Sequence, residues 1–341
     1  MFDNSNLFRW ATSELSQDAF ICWLLSWADS SYANKNPEMH NAGKIFVNYL
    51  LELSDESPIS NENIVVRKQL DSADIVAEIG KNYILLIEDK TDTSEHGDQL
   101  DRYKTAIQAR YPDRKILPIF CKTGNQSNYK KAKKSGYSLL LRKDFLNILM
   151  EIKKNGLENN IFDDFLSLLD FREKETQSFL HLHPNDWSRH SWQGFFLSLQ
   201  DAFPDLNWGY VANAQGGFMG AWWHFGAWSG WQTYLQIEEK SLVMKLGCWT
   251  EKHIPSARAS VRNRWLKTLE AANKESGIII TPPVRRGNGR SMTAALVSSG
   301  NDWIQLDENQ LIDFDSTVIF LRKAMAVIDK ARSDLTFAEN K

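Results

Sequence analysis

The chain has 341 residues, is 43% hydrophobic and 24% charged, and carries a formal net charge of -3. That is apolar material enough for two domains of ordinary size, and it excludes a global basic signal of the kind that coats nucleic acid, although a local basic groove stays open. Three separated cysteines (Cys22, Cys121, Cys248) give neither a zinc spacing nor an even disulfide set, Met1-Phe2-Asp3-Asn4 lacks the basic start of a signal peptide, and no apolar run is long enough to span a membrane, so a reducing cytoplasm is expected.

Ser13 reads as an N-cap, and Phe20, Trp23, Leu24 and Trp27 recur at helical spacing, which predicts a first helix over 13–30. Glu14 falls in its first turn, where a carboxylate ordinarily complements the helix dipole. A second helix is predicted over 39–53, with Ile45, Phe46, Tyr49 and Leu50 as its apolar face. His40 opens it, and a lone histidine there ordinarily caps or packs. After the polar stretch Ser54–Asn63, residues Ile64–Gln69 read as a strand; Gln69 at its end lies near the site on one reading and, more ordinarily, satisfies backbone groups.

The next stretch organises the chain. Asp74-Ile75-Val76-Ala77-Glu78-Ile79 and Tyr83-Ile84-Leu85-Leu86-Ile87-Glu88-Asp89-Lys90 flank a Gly80-Lys81-Asn82 turn, which predicts a β-hairpin. Asp74 opens one strand while Glu88 and Lys90 close the other on a common face, so antiparallel pairing brings two carboxylates and an amine to one sheet edge. Paired carboxylates need a counter-charge. A hard cation such as Mg²⁺, for which Mn²⁺ can substitute, takes oxygen ligands of this kind, and the Asp89 carbonyl can face the same ion. Lys90 would position or activate a water or neutralise a phosphate. The competing reading is an ordinary solvated rim, but the unbroken apolar run Tyr83–Ile87 marks a central strand covered on both faces, and open α/β sheets hold their sites at such strand ends.

Thr93 is predicted to cap a helix running to about Tyr111, with His96, Gln99 and Tyr103 on one face. A glutamine amide and a tyrosine hydroxyl can hydrogen-bond a phosphate or a nucleotide; a polar helix edge over the sheet is the plainer reading. His96 is open between metal, substrate and surface roles. Lys115–Cys121 is a strand whose Pro118 suggests an edge or a bulge. Lys122–Lys134 is a lysine-rich connection, ordinarily a solvated face, although a run of this kind can also hold a DNA backbone. Another strand at Tyr137–Leu141 and helices over 143–153 and 158–175 complete this half.

Pro184-Asn185-Asp186 break the pattern, and ten of the thirteen tryptophans lie from Trp187 onward. The domains are therefore drawn as 1–178 and 179–341. In the second, a helix at 192–203 precedes strands near 207–212, 218–227, 231–238 and 241–248, a helix at 256–275, strands near 277–283 and 290–298, and a last helix at 313–331. This predicts an α+β layer, an antiparallel sheet covered on one face by helices. Trp222, Trp223, Trp228 and Trp231 stack bases or a ligand on one reading and fill a core or a subunit interface on the other. Arg285, Arg286 and Arg290 around a glycine turn touch phosphate or solvent.

Asp74 followed after a hairpin by Glu88-Asp89-Lys90 resembles the D…(D/E)xK signature of the PD-(D/E)XK nuclease superfamily, and Gln99 with Tyr103 resembles the QxxxY element of its RecB-like branch. Ser72-Ala73 stand where the signature has its proline. The stretch Glu14–Leu25, then His40, Gly43 and Phe46, is similar to the opening of some bacterial members. Over the first half of the chain the resemblance implies an α/β fold with a restriction-endonuclease-like αβββαβ core, ahead of the C-terminal α+β domain. It implies a Mg²⁺-dependent nuclease acting on DNA rather than RNA, most simply an endonuclease in bacterial defence or DNA processing. Asp74, Glu88, Asp89 and Glu14 would hold the metal, Lys90 would act on the water, and Gln99 and Tyr103 would contact the substrate. The C-terminal half would select the target, bind a protein partner or form a homodimer. The alternative is a catalytically silent nuclease fold that binds a ligand or partner through that half.

Overall fold

The computed structural model describes residues 5–93, 95, 97–213, 216–248, 255–287, 289–300 and 302–334. The chain divides into two compact units, Met1–Lys174 and Glu175–Lys341. The sequence reading divides it after residue 178; the compact units divide inside the sixth helix.

In the first unit, α1 (Glu14–Trp27) buries Phe20, Ile21, Leu24 and Leu25. The second helix, α2 (Pro37–Glu52), starts where the Asn36 side chain accepts the Met39 N–H at 3.0 Å, with Pro37 in its first turn. Gly43 lets the two helices touch: a Cβ there would lie 2.5 Å from the Ala28 nitrogen. Three strands follow: β1 (Ile64–Leu70), β2 (Ala73–Ile79) and β3 (Tyr83–Lys90). Asp71 and Ser72 turn β1 into β2 at φ 50° and 70°, and Gly80 opens the next turn at φ 52°, the left-handed geometry that tight hairpins use. Then come α3 (Gln99–Arg110), β4 (Lys115–Lys122), the one-turn helix α4 (Lys130–Lys134), β5 (Ser138–Leu141), α5 (Arg142–Lys154) and α6 (Asn160–Gln177).

The sheet runs in the order β1-β2-β3-β4-β5. The first three strands pair antiparallel, and β3–β4 and β4–β5 pair parallel. Its two faces have separate cores. Ile75, Ala77, Leu85, Ile87 and Ile119 pack with Phe20, Phe46, Phe145 and Phe165 of the helices α1, α2, α5 and α6. Val76, Ile84, Leu86 and Phe120 pack with Leu100 and Ile107 of α3 and Ala132 of α4. Burial on both faces explains the unbroken apolar run of β3.

Two local expectations are corrected. Helix α3 begins at Gln99 with Asp98 at its N-cap position, so Thr93 is not its cap; Thr93 lies in the loop after β3, where its hydroxyl has another partner. Pro118 is in an interior strand, not an edge. The ladder to β5 begins at Ile119, so the missing Pro118 N–H takes nothing from it.

The second unit has one antiparallel sheet in the order β10-β11-β9-β8-β7-β6. After α7 (Arg189–Ala202), capped by a Ser188–Ser191 box, come β6 (Asn207–Val211), β7 (Phe218–Trp228), β8 (Trp231–Glu238) and β9 (Ser241–Gly247). They are followed by α8 (Arg258–Ala272), β10 (Ile279–Thr281), β11 (Ser291–Ser298) and α9 (Phe314–Ser333). Alternate residues such as Leu235, Ile237, Leu242, Met244 and Leu246 form one core with Phe195 and Phe196 of α7, Trp265 of α8 and Leu321 of α9. Trp223, Trp228 and Trp231 are buried in that core, so three of the four clustered tryptophans are packing residues, and Trp222 is half-buried. Among the described residues, no helix is long and apolar enough to cross a membrane.

Candidate active site

The hairpin sets the geometry. Because β2 and β3 pair with Ile75 opposite Ile87, Asp74 lies beside the end of β3, and its Oδ2 accepts the Asp89 N–H at 3.0 Å. Lys90 curls back among oxygens. Its Nζ is 2.7 Å from Glu88 Oε1, 3.4 Å from Asp74 Oδ2 and 3.9 Å from Glu14 Oε2, and it donates to the Asp89 carbonyl at 2.8 Å. Glu14 arrives from the first turn of α1. Its Oε1 accepts the Thr91 N–H at 2.9 Å and the Thr93 hydroxyl at 2.8 Å, so it is tied to the strand end besides lying in the first turn of its helix. From α3, Gln99 Nε2 donates to Glu88 Oε1 at 2.7 Å and to the Tyr103 hydroxyl at 3.1 Å.

Six of the expected residues, Glu14, Asp74, Glu88, Lys90, Gln99 and Tyr103, thus form one connected constellation. Asp89 splits in two. Its carbonyl faces the lysine, but its side chain points through the sheet to α1, where Gln17 Nε2 donates to Oδ1 at 2.5 Å. His40 is apart from the constellation, with Nδ1 3.0 Å from the Trp27 carbonyl at the end of α1. Gln69 is exposed with φ 54°. His96 lies outside the described residues.

Burial sets the electrostatics. Glu88 has no exposed surface, and burial, reinforced by the Asp74 charge, pushes its carboxyl up to about 7. Its Oε2 is buried without a hydrogen-bond partner. Burial alone would pull Lys90 down, but the bond to Glu88 and the charges of Glu88, Asp74 and Glu14 outweigh it and hold the ammonium above the ordinary lysine value. Behind the sheet, Asp18 and Asp89 are both buried, and both are pushed up, chiefly by burial. Asp18 Oδ1 and Asp89 Oδ2 are both buried without a hydrogen-bond partner. Gln17 carries this network on to Thr123, whose hydroxyl donates to Gln17 Oε1 at 2.6 Å and whose carbonyl accepts from Arg142 at 2.8 Å. A cleft of about 430 Å³ opens beside the site, with Glu14, Asp18, Asp74, Thr91 and Asp92 in its walls.

Gln17, Asp18 and Lys122 were missed in the sequence. The signal for the first two was there: three and four residues after Glu14, they share its helix face. Lys122 ends β4 in register with Lys90 at the end of β3. It is buried, and its ammonium bonds the Thr93 carbonyl, bracing the loop that holds Glu14. Burial pulls this ammonium down to about 8 against the opposing pull of Asp92, Glu14 and Glu95. A lowered lysine contributes stability that is fully present above its unfolded value, about 10.5, and is lost as pH falls through about 8. Denaturation of wild type and Lys122→Met should therefore show a stability difference that shifts in favour of wild type between about pH 8 and pH 10. A difference that stays flat across that window would mean the folded protein keeps Lys122 charged.

Among the described residues, no group of three or more His, Cys, Asp and Glu side chains is arranged to hold a metal ion. The carboxylates close on the Lys90 ammonium instead, Glu88 and Asp74 within hydrogen-bond distance and Glu14 at 3.9 Å. The donor set nonetheless suits a hard divalent cation. It is all oxygen, it includes the orphaned Glu88 Oε2, and it already surrounds one positive charge. No family model, no curated protein and no solved structure matches the chain.

Proposed function

We propose that the first unit is a metal-dependent nuclease of the PD-(D/E)XK type that hydrolyses phosphodiester bonds in DNA, most simply as an endonuclease. One observation carries the reading: Asp74, Glu88, Glu14 and the Asp89 carbonyl converge on Lys90 at the rim of the buried strand β3, with Gln99 bonded to Glu88 from the next helix. The order of elements supports it, a helix, three antiparallel strands, a helix and a parallel strand.

Asp74, Glu88, the Asp89 carbonyl and Glu14 would hold Mg²⁺, or Mn²⁺ in its place. Such an ion supplies Lewis-acid polarisation of the phosphodiester and charge for the leaving oxygen. Lys90 presents an ammonium to the same point and can orient the attacking water and neutralise charge as it develops. Gln99 and Tyr103 line the α3 side with neutral donors suited to a phosphate oxygen. The Thr91 N–H and Thr93 hydroxyl fix Glu14, and the Gln17 amide holds the Asp89 carboxyl behind the sheet while its carbonyl stays forward.

The deciding experiment incubates wild type and Asp74→Ala with supercoiled, linear and single-stranded DNA and with RNA, in Mg²⁺ or Mn²⁺, and measures metal binding by calorimetry. Nicking of circles by wild type alone, with metal binding lost in Asp74→Ala, is the expected result. Wild type inert on every substrate and blind to metal would sink the catalytic reading and leave a nuclease-like fold that serves as a binding module.

A further inference from the structure

Helix α4 reads Lys130-Lys131-Ala132-Lys133-Lys134, four cations in five residues in a chain whose net charge is -3. A helix this short does not hold itself together, and like charges three and four residues apart repel. It is pinned from below. Ala132 is fully buried in the α3-side core, and Tyr129 packs against Phe120 with ring centroids 6.4 Å apart. That anchoring leaves Lys130, Lys133 and Lys134 exposed and Lys131 half-buried.

The helix is also fastened next to the candidate site. Lys131 Nζ donates to the Glu95 carbonyl at 3.4 Å and Gln126 Nε2 to Glu95 Oε2 at 3.3 Å, which ties α4 to the loop after β3. Lys104, the residue after Tyr103 on α3, donates to the Ser135 carbonyl at 3.4 Å, and the Tyr137 hydroxyl donates to the Leu100 carbonyl at 3.0 Å. Some lysines of this unit sit on carboxylates: Lys68 on Asp18, Lys115 on Glu56, Lys153 on Asp163, Lys174 on Asp170. Among the described residues, none of Lys104, Lys130, Lys131, Lys133 and Lys134 has a carboxylate oxygen within 4.0 Å.

We infer that α4, with Lys104 beside it, is a docking track for the phosphate backbone of duplex DNA, flanking the α3 side of the candidate site. The naming of DNA rests on the nuclease reading; the polyanion rests on the ridge itself. Lysine ammoniums are point charges that meet phosphates without reading bases. The aromatic residue nearest in sequence, Tyr129, is turned inward onto Phe120, so the ridge offers no ring for the base stacking that single strands require. Lys130 and the pair Lys133–Lys134 lie one helical turn apart, about 5–6 Å, a ridge that follows a backbone rather than a pocket for one anion.

The test is fluorescence anisotropy of the full chain with a short labelled duplex in EDTA, titrated with salt, for wild type and for Lys130→Gln/Lys133→Gln/Lys134→Gln. All three positions are exposed, so the fold should survive, and circular dichroism checks that it does. Removing three phosphate contacts should weaken binding and make the slope of log affinity against log salt shallower by about 2–3. Equal affinity and slope for the two proteins would overturn the track. So would failure of wild type to bind the duplex, or equal lysine-dependent binding of single-stranded DNA, duplex RNA or an acidic polypeptide. Cleavage in Mg²⁺, run in parallel, separates the two readings. Lysine-dependent binding without cleavage leaves the track standing and removes the catalysis. Cleavage indifferent to the three lysines does the reverse.

Discussion

Lys90→Met should abolish most cleavage and destabilise the first unit at once, and adding Glu88→Gln should repair the stability but not the cleavage. The stability half follows from burial. Lys90 Nζ is 2.7 Å from Glu88 Oε1, and Glu88 has no exposed surface. Removing one partner of a buried ion pair strands the other charge, at a cost of about 3–5 kcal/mol. The carboxyl can take up a proton to escape. Burial and Asp74 already hold it near 7, so the loss should be largest in mildly alkaline buffer and should shrink in acid. Gln in place of Glu88 keeps an oxygen for the Gln99 amide and carries no charge to strand, so the double variant should return to within about 1 kcal/mol of wild type. The catalytic half follows from position. A preorganised donor aimed at developing charge is worth about 10²–10³ in rate, and no other side chain in the constellation is a cation. Denaturant titrations with turnover on supercoiled DNA measure both halves. Wild-type turnover in Lys90→Met would remove Lys90 from the chemistry. Instability that Glu88→Gln fails to relieve would mean that the lysine stem, not its charge, holds the strand end.

This coupling explains why so much of the site was legible in the sequence. The hairpin signal was local: Gly80 at a left-handed turn, β-branched runs on either side, and charge placed only at the strand ends. Antiparallel pairing then converts spacing into proximity without further information, so Asp74 had to meet Glu88 and Lys90. Gln99 and Tyr103 were legible for the same reason, being one turn apart on one helix. The second unit was legible strand by strand because its open antiparallel sheet alternates, as in Leu242, Met244 and Leu246 facing one core. What local pattern cannot carry is contact across the sheet. Nothing near Asp89 announces that its side chain leaves the site for Gln17 and Asp18, since that depends on how α1 lies over β3. Lys122 looked like the start of a solvated lysine run until parallel pairing put it beside Lys90. Thr93 had the chemistry of a helix cap, yet its hydroxyl is taken by Glu14 from a residue 79 positions away.

Gly124→Ala should be the most damaging small change near the site, although Gly124 touches no substrate in any reading. The residue follows Thr123, whose N–H donates to the Lys90 carbonyl at 3.2 Å and keeps the ends of β3 and β4 together. A Cβ on Gly124 would lie 2.1 Å from the Thr91 carbonyl oxygen and 2.9 Å from its carbon. Both are backbone atoms, so no rotamer relieves the clash and the Thr91 segment must move. Thr91 N–H is one of the two donors that hold Glu14, the other being the Thr93 hydroxyl. Overpacking of this kind costs about 1–3 kcal/mol, and a displacement of about 1 Å at a positioned catalytic group costs on the order of 10²-fold in rate. Gly287→Ala is the matched control, since a Cβ there meets nothing within 4 Å; it should leave melting and turnover as they are. Thermal unfolding, Mg²⁺ titration calorimetry and nicking rates on the three proteins decide the matter. A Gly124→Ala protein that melts early but binds Mg²⁺ and nicks at the wild-type rate would show that Glu14 does not depend on the Thr91 loop. One that matches wild type in every measurement would show that the two strand ends can part without consequence, and that the constellation is less rigid than its hydrogen bonds imply.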